Sequence, residues 1–182
     1  NIDLREALAY HREKGAEITM IYKTGISGPY EGRCTLLDIG EEQRVKGIEV
    51  NPVVPRSSNI SMHMYILDKS LLMELLYQSV SRGETDWIKD TLNRNLDGLK
   101  VYAYPFKGYL GKITSLQSYY RTNMDLLQPT ISRELFFHAG LIYTKVKNEP
   151  PTKYTESADV KTSLIANGCV IEGTVENSIL FR

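Results

Sequence analysis

Along the front of the chain, apolar residues alternate between helical and strand spacing, which predicts an α/β fold. Leu4, Ala7, Leu8 and His11 lie at helical spacing behind Asp3 and Glu6, a capping-box pair, and Gly15 offers a stop, so a helix of about eleven residues is expected. Glu17 to Tyr22 reads as a strand, and Lys23 to Arg33, with three glycines and one proline, as a loop. Cys34 to Ile39 and Val45 to Val50 are two apolar-rich strands joined through Gly40-Glu41-Glu42-Gln43, the pattern of a hairpin. Asn51 to Asn59 reads as a connecting loop. Ile60 to Leu67 is apolar on both alternations, as expected of a central strand covered on both faces.

Asp68 or Ser70 can cap a helix carrying Leu71, Leu72, Leu75, Leu76 and Val80, with Arg82-Gly83 as its end. A shorter helix is predicted from Asp86 to Leu92 and a strand from Leu99 to Tyr104. Ser115 to Leu127 reads as a helix with Leu116, Tyr119, Tyr120, Asn123, Leu126 and Leu127 on or near one face, and the two tyrosines read as core rather than as a stacking platform. Beyond Pro129 the pattern changes. Ile142 to Tyr154 is a proline-containing connector, and after it Ser163, Cys169, Val175 and Phe181 recur at spacing six, with Ile165 and Ile171 also six apart. That rhythm fits a hexapeptide β-helix, and the plainer alternative is a pair of strands with a Gly turn.

Composition narrows the function classes. At 42% hydrophobic and 24% charged, the chain is ordinary for a globular protein that buries a core. Lys plus Arg equals Asp plus Glu at 22 each, so no global field favours nucleic acid or an anionic membrane, and neither partner is expected. Cys34 and Cys169 cannot form a secreted disulfide framework, so a cytoplasmic setting is the default. No stretch approaches the ~20 apolar residues needed to span a bilayer. The chain opens at Asn1 directly inside a helix signal and stops at Arg182 in mid-pattern, so it reads as an internal fragment. His11 and His63 read as packing or surface residues rather than ligands.

Several short stretches, taken in order, carry a resemblance. They are Ser61-Met62-x-x-Tyr65, Asp86-Trp87-x-Lys89-Asp90, Val101-Tyr102-Ala103-Tyr104, Gly108-Tyr109 with Ser118-Tyr119, Asn123-Met124-Asp125-Leu126-Leu127, Glu149-Pro150-Pro151, and Ser163-Leu164-Ile165 with Gly168-Cys169, Ile171 and Gly173. None is specific alone, but their order and spacing over nearly the whole chain resemble bacterial glucose-1-phosphate adenylyltransferase, the ADP-glucose pyrophosphorylase of glycogen synthesis. The resemblance implies an α/β fold: the C-terminal half of a nucleotidyltransferase domain with a Rossmann-like, mixed sheet, followed by the start of a left-handed parallel β-helix. In these terms residues 1–141 are the partial nucleotidyltransferase-like domain, 142–154 the connector and 155–182 the first hexapeptide repeats.

Active members of that family join a sugar phosphate to ATP, and the resemblance implies paired carboxylates that hold Mg²⁺ against the phosphates. A divalent cation offsets the repulsion between two reacting phosphates. The downstream carboxylate belongs to Gly-Tyr-Trp-x-Asp-Val-Gly-Thr, but this chain reads Gly108-Tyr109-Leu110-Gly111-Lys112-Ile113-Thr114-Ser115, which puts Lys112 at the Asp position. A fixed cation there repels a metal. Where the active pattern has Glu-Glu-Lys-Pro, this chain has Glu49-Val50-Asn51-Pro52, and Asn51 brings no charge to a phosphate. Glu49, Asn51, Ser61, Asp86, Trp87 and Lys112 are therefore expected to mark a remnant sugar-phosphate pocket with no catalytic or metal residue. Ser61, Asp86 and Trp87 also have plain readings as strand residue, helix cap and core.

Two departures at separate points of one site match the non-catalytic D-type subunit of this family. The expectation is a regulatory, catalytically impaired subunit that binds no Mg²⁺ in this fragment. It would pair with a catalytic glucose-1-phosphate adenylyltransferase subunit in a hetero-oligomer, a tetramer, with a sugar phosphate or nucleotide as effector. The alternative is an active sugar-1-phosphate nucleotidyltransferase in which Lys112 contacts phosphate directly. A third reading makes the β-helix segment an oligomerisation module.

Overall fold

The structure is a computed structural model that describes residues 2–25, 34–138, 140–143, 145–146 and 148–181. It divides into two compact units, residues 4–110 and residues 1–3 with 111–182.

The first unit opens with α1 (Arg5–Glu13), followed by β1 (Ile18–Thr24), β2 (Thr35–Ile39), β3 (Val45–Val50) and β4 (Asn59–Leu67). Then come α2 (Lys69–Ser81), a π-helical turn at Trp87–Leu92 that runs into α3 (Asn93–Asn95), and β5 (Val101–Pro105). The five strands form one mixed sheet in the order β3-β2-β4-β1-β5. β1 runs antiparallel to β4 and parallel to β5, and β2 runs antiparallel to both β3 and β4. The predicted β2–β3 hairpin is present, and its turn places Glu42 and Gln43 at positive φ.

β4 is the middle strand, as its pattern predicts, but double coverage belongs to β1. Ile18, Thr19, Met20, Ile21 and Tyr22 are all buried, whereas on β4 only Ile60 and Ser61 are. One face of the sheet presents Ile18, Met20, Tyr22, Leu37, Val101 and Ala103 to Leu75 of α2 and to Leu92 and Leu96. Each such buried side chain contributes roughly 1.5–3 kcal/mol. The opposite face meets α1, where Ala7 is fully buried and His11 Nδ1 lies 2.9 Å from Thr19 Oγ1, so His11 is a packing residue.

Three other expectations change. Asp3 and Glu6 do not form a capping box: Leu4 takes the cap position of α1 with no side-chain cap, and Glu6 accepts instead from Tyr104 Oη at 3.1 Å. Lys23 and Thr24 extend β1 rather than opening the loop, because Asn59 and Ile60 continue to pair with them and Thr24 Oγ1 donates to Asn59 Oδ1 at 2.8 Å. The rest of that loop, residues 26–33, lies outside the described residues. Of the apolar residues predicted along α2, Leu75 is buried and Leu71 and Leu72 are partly covered, but Leu76 and Val80 are exposed and Ser79 is buried instead. A buried hydrogen bond sets this rotation, since Ser79 Oγ lies 2.6 Å from Thr91 Oγ1. α1 and α2 both end before glycines at positive φ, Gly15 and Gly83, as their sequences indicate.

β4 also carries a bulge. Ile21 pairs with Met64 and Tyr22 with Ser61, so Met62 and His63 have no partners on β1. His63 sits at φ 54°, and its N–H donates to Ser61 Oγ at 3.2 Å.

The second unit contains α4 (Leu116–Asp125), α5 (Pro129–Arg133), a π-helical turn at Glu134–His138, and strands β6 (Lys153–Tyr154), β7 (Asp159–Lys161), β8 (Leu164–Ile165), β9 (Val170–Ile171), β10 (Thr174–Glu176) and β11 (Ile179–Leu180). Ser115 caps α4 through a reciprocal pair: Ser115 Oγ accepts from Ser118 N–H at 3.1 Å, and Ser118 Oγ accepts from Ser115 N–H at 2.8 Å. The predicted packing face of α4 is not buried. Only Ser118 is, while Tyr119 is 45% and Tyr120 65% exposed, so these tyrosines are not core. The six short strands form three parallel pairs, β6 with β9, β7 with β10 and β8 with β11. Parallel pairing is not that of a hairpin with a Gly turn. Ser163, Ile165, Cys169, Ile171 and Val175 are all at least partly covered, and Phe181 departs from their pattern at 65% exposed.

Candidate functional site

Three of the six predicted pocket residues converge around a fourth, Tyr65. Ser61 lies on β4 before the bulge and Tyr65 after it, and their partners on β1 are Tyr22 and Met20. Those partners are two positions apart on one face of β1, so Ser61 and Tyr65 face the same side of the sheet. Four residues of straight strand would separate them by roughly 13 Å, but the bulge compresses the interval toward the roughly 7 Å that two positions of β1 span. Asp86 and Trp87 arrive from the turn that follows α2. The Trp87 ring meets the Tyr65 ring edge to face at 6.2 Å between centroids.

Asp86 is a helix cap, as its plain reading holds. Its Oδ1 accepts from the N–H groups of Ile88 and Lys89, both at 2.9 Å, and Asp90 Oδ2 accepts in return from the N–H of Asp86 at 3.0 Å. The Lys89 backbone bond, against the cost of burial and aided by the Ile88 bond and the Lys89 charge, holds the Asp86 carboxyl below its ordinary range. Both cap bonds use Oδ1, so capping leaves Oδ2 without a hydrogen bond among the described residues. Trp87 is half-buried and packs against the main core, which agrees with its plain reading too.

Tyr65 closes the Ser61-Met62-x-x-Tyr65 stretch but is not among the predicted pocket residues. Its hydroxyl is buried and makes no hydrogen bond among the described residues. Burial pushes its pKa up, the nearby Ser61 hydroxyl opposes this without reaching hydrogen-bond geometry, and the Asp86 charge pushes it further up. The available signal was its place four residues after Ser61 on a strand, where both share one face.

Glu49 and Asn51 stand at the exit of the β2–β3 hairpin. Both Glu49 oxygens are engaged by Arg56: Nε lies 3.5 Å from Oε1, and the Arg56 N–H donates to Oε2 at 3.3 Å. The carboxylate thus ties down the loop that follows it. Asn51 takes φ 51°, a left-handed conformation that Asn tolerates, and its N–H donates to the Cys34 carbonyl at 2.7 Å. Lys112 belongs to the second unit, where it is half-buried three residues before the Ser115 cap. These residues do not fit a divalent cation. Lys112 supplies an ammonium, which has no lone pair to donate, and no three His, Cys, Asp or Glu side chains converge among the described residues. No helix among the described residues is long and apolar enough to cross a membrane.

A mixed sheet with helices on both faces, and a hydroxyl–carboxylate–aromatic cluster at its middle strand, are consistent with a nucleotidyltransferase-like α/β protein. Comparison with known proteins makes this specific. Over its full length the chain is 33% identical to the glycogen biosynthesis protein GlgD of Bacillus subtilis (strain 168), of which it covers 43%. It is 38% identical over 186 aligned positions to the glucose-1-phosphate adenylyltransferase of Bacillus mycoides (strain KBAB4), and 37% identical to that of Bacillus anthracis, covering 49% of each. No family model matches. The chain spans about half the length of the curated relatives it matches, and along all of its own length it is similar to glucose-1-phosphate adenylyltransferases and to GlgD.

Proposed function

We propose that the whole protein is a regulatory, catalytically impaired subunit in glycogen biosynthesis that modulates a catalytic glucose-1-phosphate adenylyltransferase making ADP-glucose from ATP and glucose 1-phosphate. The observation that carries this reading is Lys112, a cation at the position where the active pattern holds a metal-binding Asp. Glu49 supports it, because Arg56 already occupies both of its oxygens, and Asn51 brings no charge to a phosphate. In this reading the protein binds no Mg²⁺, works in the cytoplasm and assembles with the catalytic subunit as a hetero-oligomer, a tetramer, with a sugar phosphate or nucleotide as effector. Residues 155–182 are its first left-handed β-helix repeats after the 142–154 connector, a reading supported by the parallel pairs from β6 to β11. Regulation requires that assembly shift the catalytic partner between conformations of different activity.

The test is ADP-glucose formation by the full-length protein alone and mixed with its catalytic partner. Negligible activity alone and altered activity in the mixture are expected. Robust activity alone would overturn the reading.

A second reading is favoured by the retained cluster of Ser61, Asp86 and Trp87 and by the identity to adenylyltransferases. It makes the protein an active sugar-1-phosphate nucleotidyltransferase with Lys112 on the phosphate. The two readings diverge in one experiment. Activity that appears only after Lys112→Asp, Val50→Glu and Asn51→Lys together marks a vestigial site, whereas native activity abolished by Lys112→Ala marks an enzyme.

A further inference from the structure

The geometry points to Lys23 as the positioning residue of the segment from Phe106 to Gly108. β5 ends at Pro105, and the ladder to β1 makes one further bond, from the Phe106 N–H to the Tyr22 carbonyl at 2.7 Å. Beyond it the segment has no partner strand, and the β1 residue next to Tyr22 takes over. Lys23 Nζ donates to the Gly108 carbonyl and, at 3.3 Å, to the Lys107 carbonyl, and it stands 5.7 Å from the centre of the Phe106 ring. Three consecutive residues are thus held by one ammonium, through two charge-assisted bonds and a cation–π contact.

The side-chain chemistry suits the task. An ammonium carries three donors at one point, so it can serve two adjacent carbonyls together, and its apolar stem lets it reach out of the half-buried end of a strand. Lys23 therefore fixes the backbone just beyond the end of β5, up to Gly108. Its role does not depend on whether Lys112 serves regulation or catalysis, so it stands or falls separately from the proposed function.

Limited trypsin digestion of the full-length protein, mapped by mass spectrometry, tests it. Cleavage after Lys107 tracks the fraction of time this segment is open. In Lys23→Met it is expected to rise by about tenfold or more while cleavage after Arg94 and Lys100 stays the same, and in Lys23→Arg it should remain within about threefold of wild type. Lys23→Gln, neutral but polar, should behave as Lys23→Met. Unchanged cleavage after Lys107 would overturn the assignment. So would a uniform rise at all sites, failure of both neutral variants to fold, or an Arg variant as labile as the Met variant.

Discussion

The rings of Tyr65 and Trp87 meet edge to face, 82° apart, with the Tyr65 hydroxyl buried and without a hydrogen bond among the described residues. The aromatic contact stabilises the site while the hydroxyl costs stability, and the two effects can be separated. Tyr65→Phe keeps the rings and removes the unsatisfied oxygen, so Tm should be unchanged or higher, because a buried polar group without a partner costs about 1–3 kcal/mol. Tyr65→Leu should lose about 0.5–1.5 kcal/mol of ring contact. Thermal unfolding of both variants checks this, and a Tyr65→Phe variant less stable than Tyr65→Leu would contradict it.

Asp86 links stability to acid. Its carboxyl titrates below the ordinary range in the folded protein, so its contribution is complete above the unfolded value of about 3.9 and is lost as pH falls through the lower folded value. Asp86→Ala should cost about 1 kcal/mol near neutral pH, typical of an N-cap. The gap to wild type should close as pH falls through that folded value. Urea unfolding across pH measures it.

At the alkaline end the sign reverses. Tyr10, Tyr22, Tyr65 and Tyr104 are all held above the ordinary phenol value, each first by burial. Their contribution is present below about pH 10 and is lost as pH rises toward the folded values. Phenolate absorbance and unfolding should therefore advance together in base, and Tyr65→Phe should unfold at a higher pH than wild type.

Ser79 and Thr91 form a buried pair at 2.6 Å. Ser79→Ala alone strands the Thr91 hydroxyl and should cost about 1–3 kcal/mol, whereas adding Thr91→Val should recover most of it. A double-mutant cycle with no coupling would show that the pair does not set the rotation of α2.

Much of the fold was legible because period and punctuation agree. The α1 and α2 helices with their glycine stops, the β2–β3 hairpin, the central place of β4 and the Asp86 cap all follow from local signals. What was hidden depended on partners distant in sequence. Hydrophobicity alone puts Leu76 and Val80 inside, yet Thr91 draws Ser79 in instead. Leu116, Tyr119 and Tyr120 share a helical face, but spacing does not reveal whether anything covers it, and they are exposed. At the site, Ser61, Asp86 and Trp87 were legible as residues, while their meeting point was not, because no glycine or proline announces the bulge at Met62 and His63.

That bulge has a genetic consequence. An insertion of two keeps the side-chain alternation of a strand, whereas an insertion of one inverts it. Deleting Met62 and His63 together should leave Tyr65 on its present face, still opposite Met20 and two strand positions from Ser61 opposite Tyr22, giving a folded protein with the cluster's spacing kept. Deleting His63 alone should turn Met64 through Leu67 inside out against β1, and the chain should fail to fold. Soluble yield and circular dichroism of the two deletions distinguish these outcomes. The number of residues between Ser61 and Tyr65 can thus change only in even steps, so it is constrained by parity as well as by chemistry.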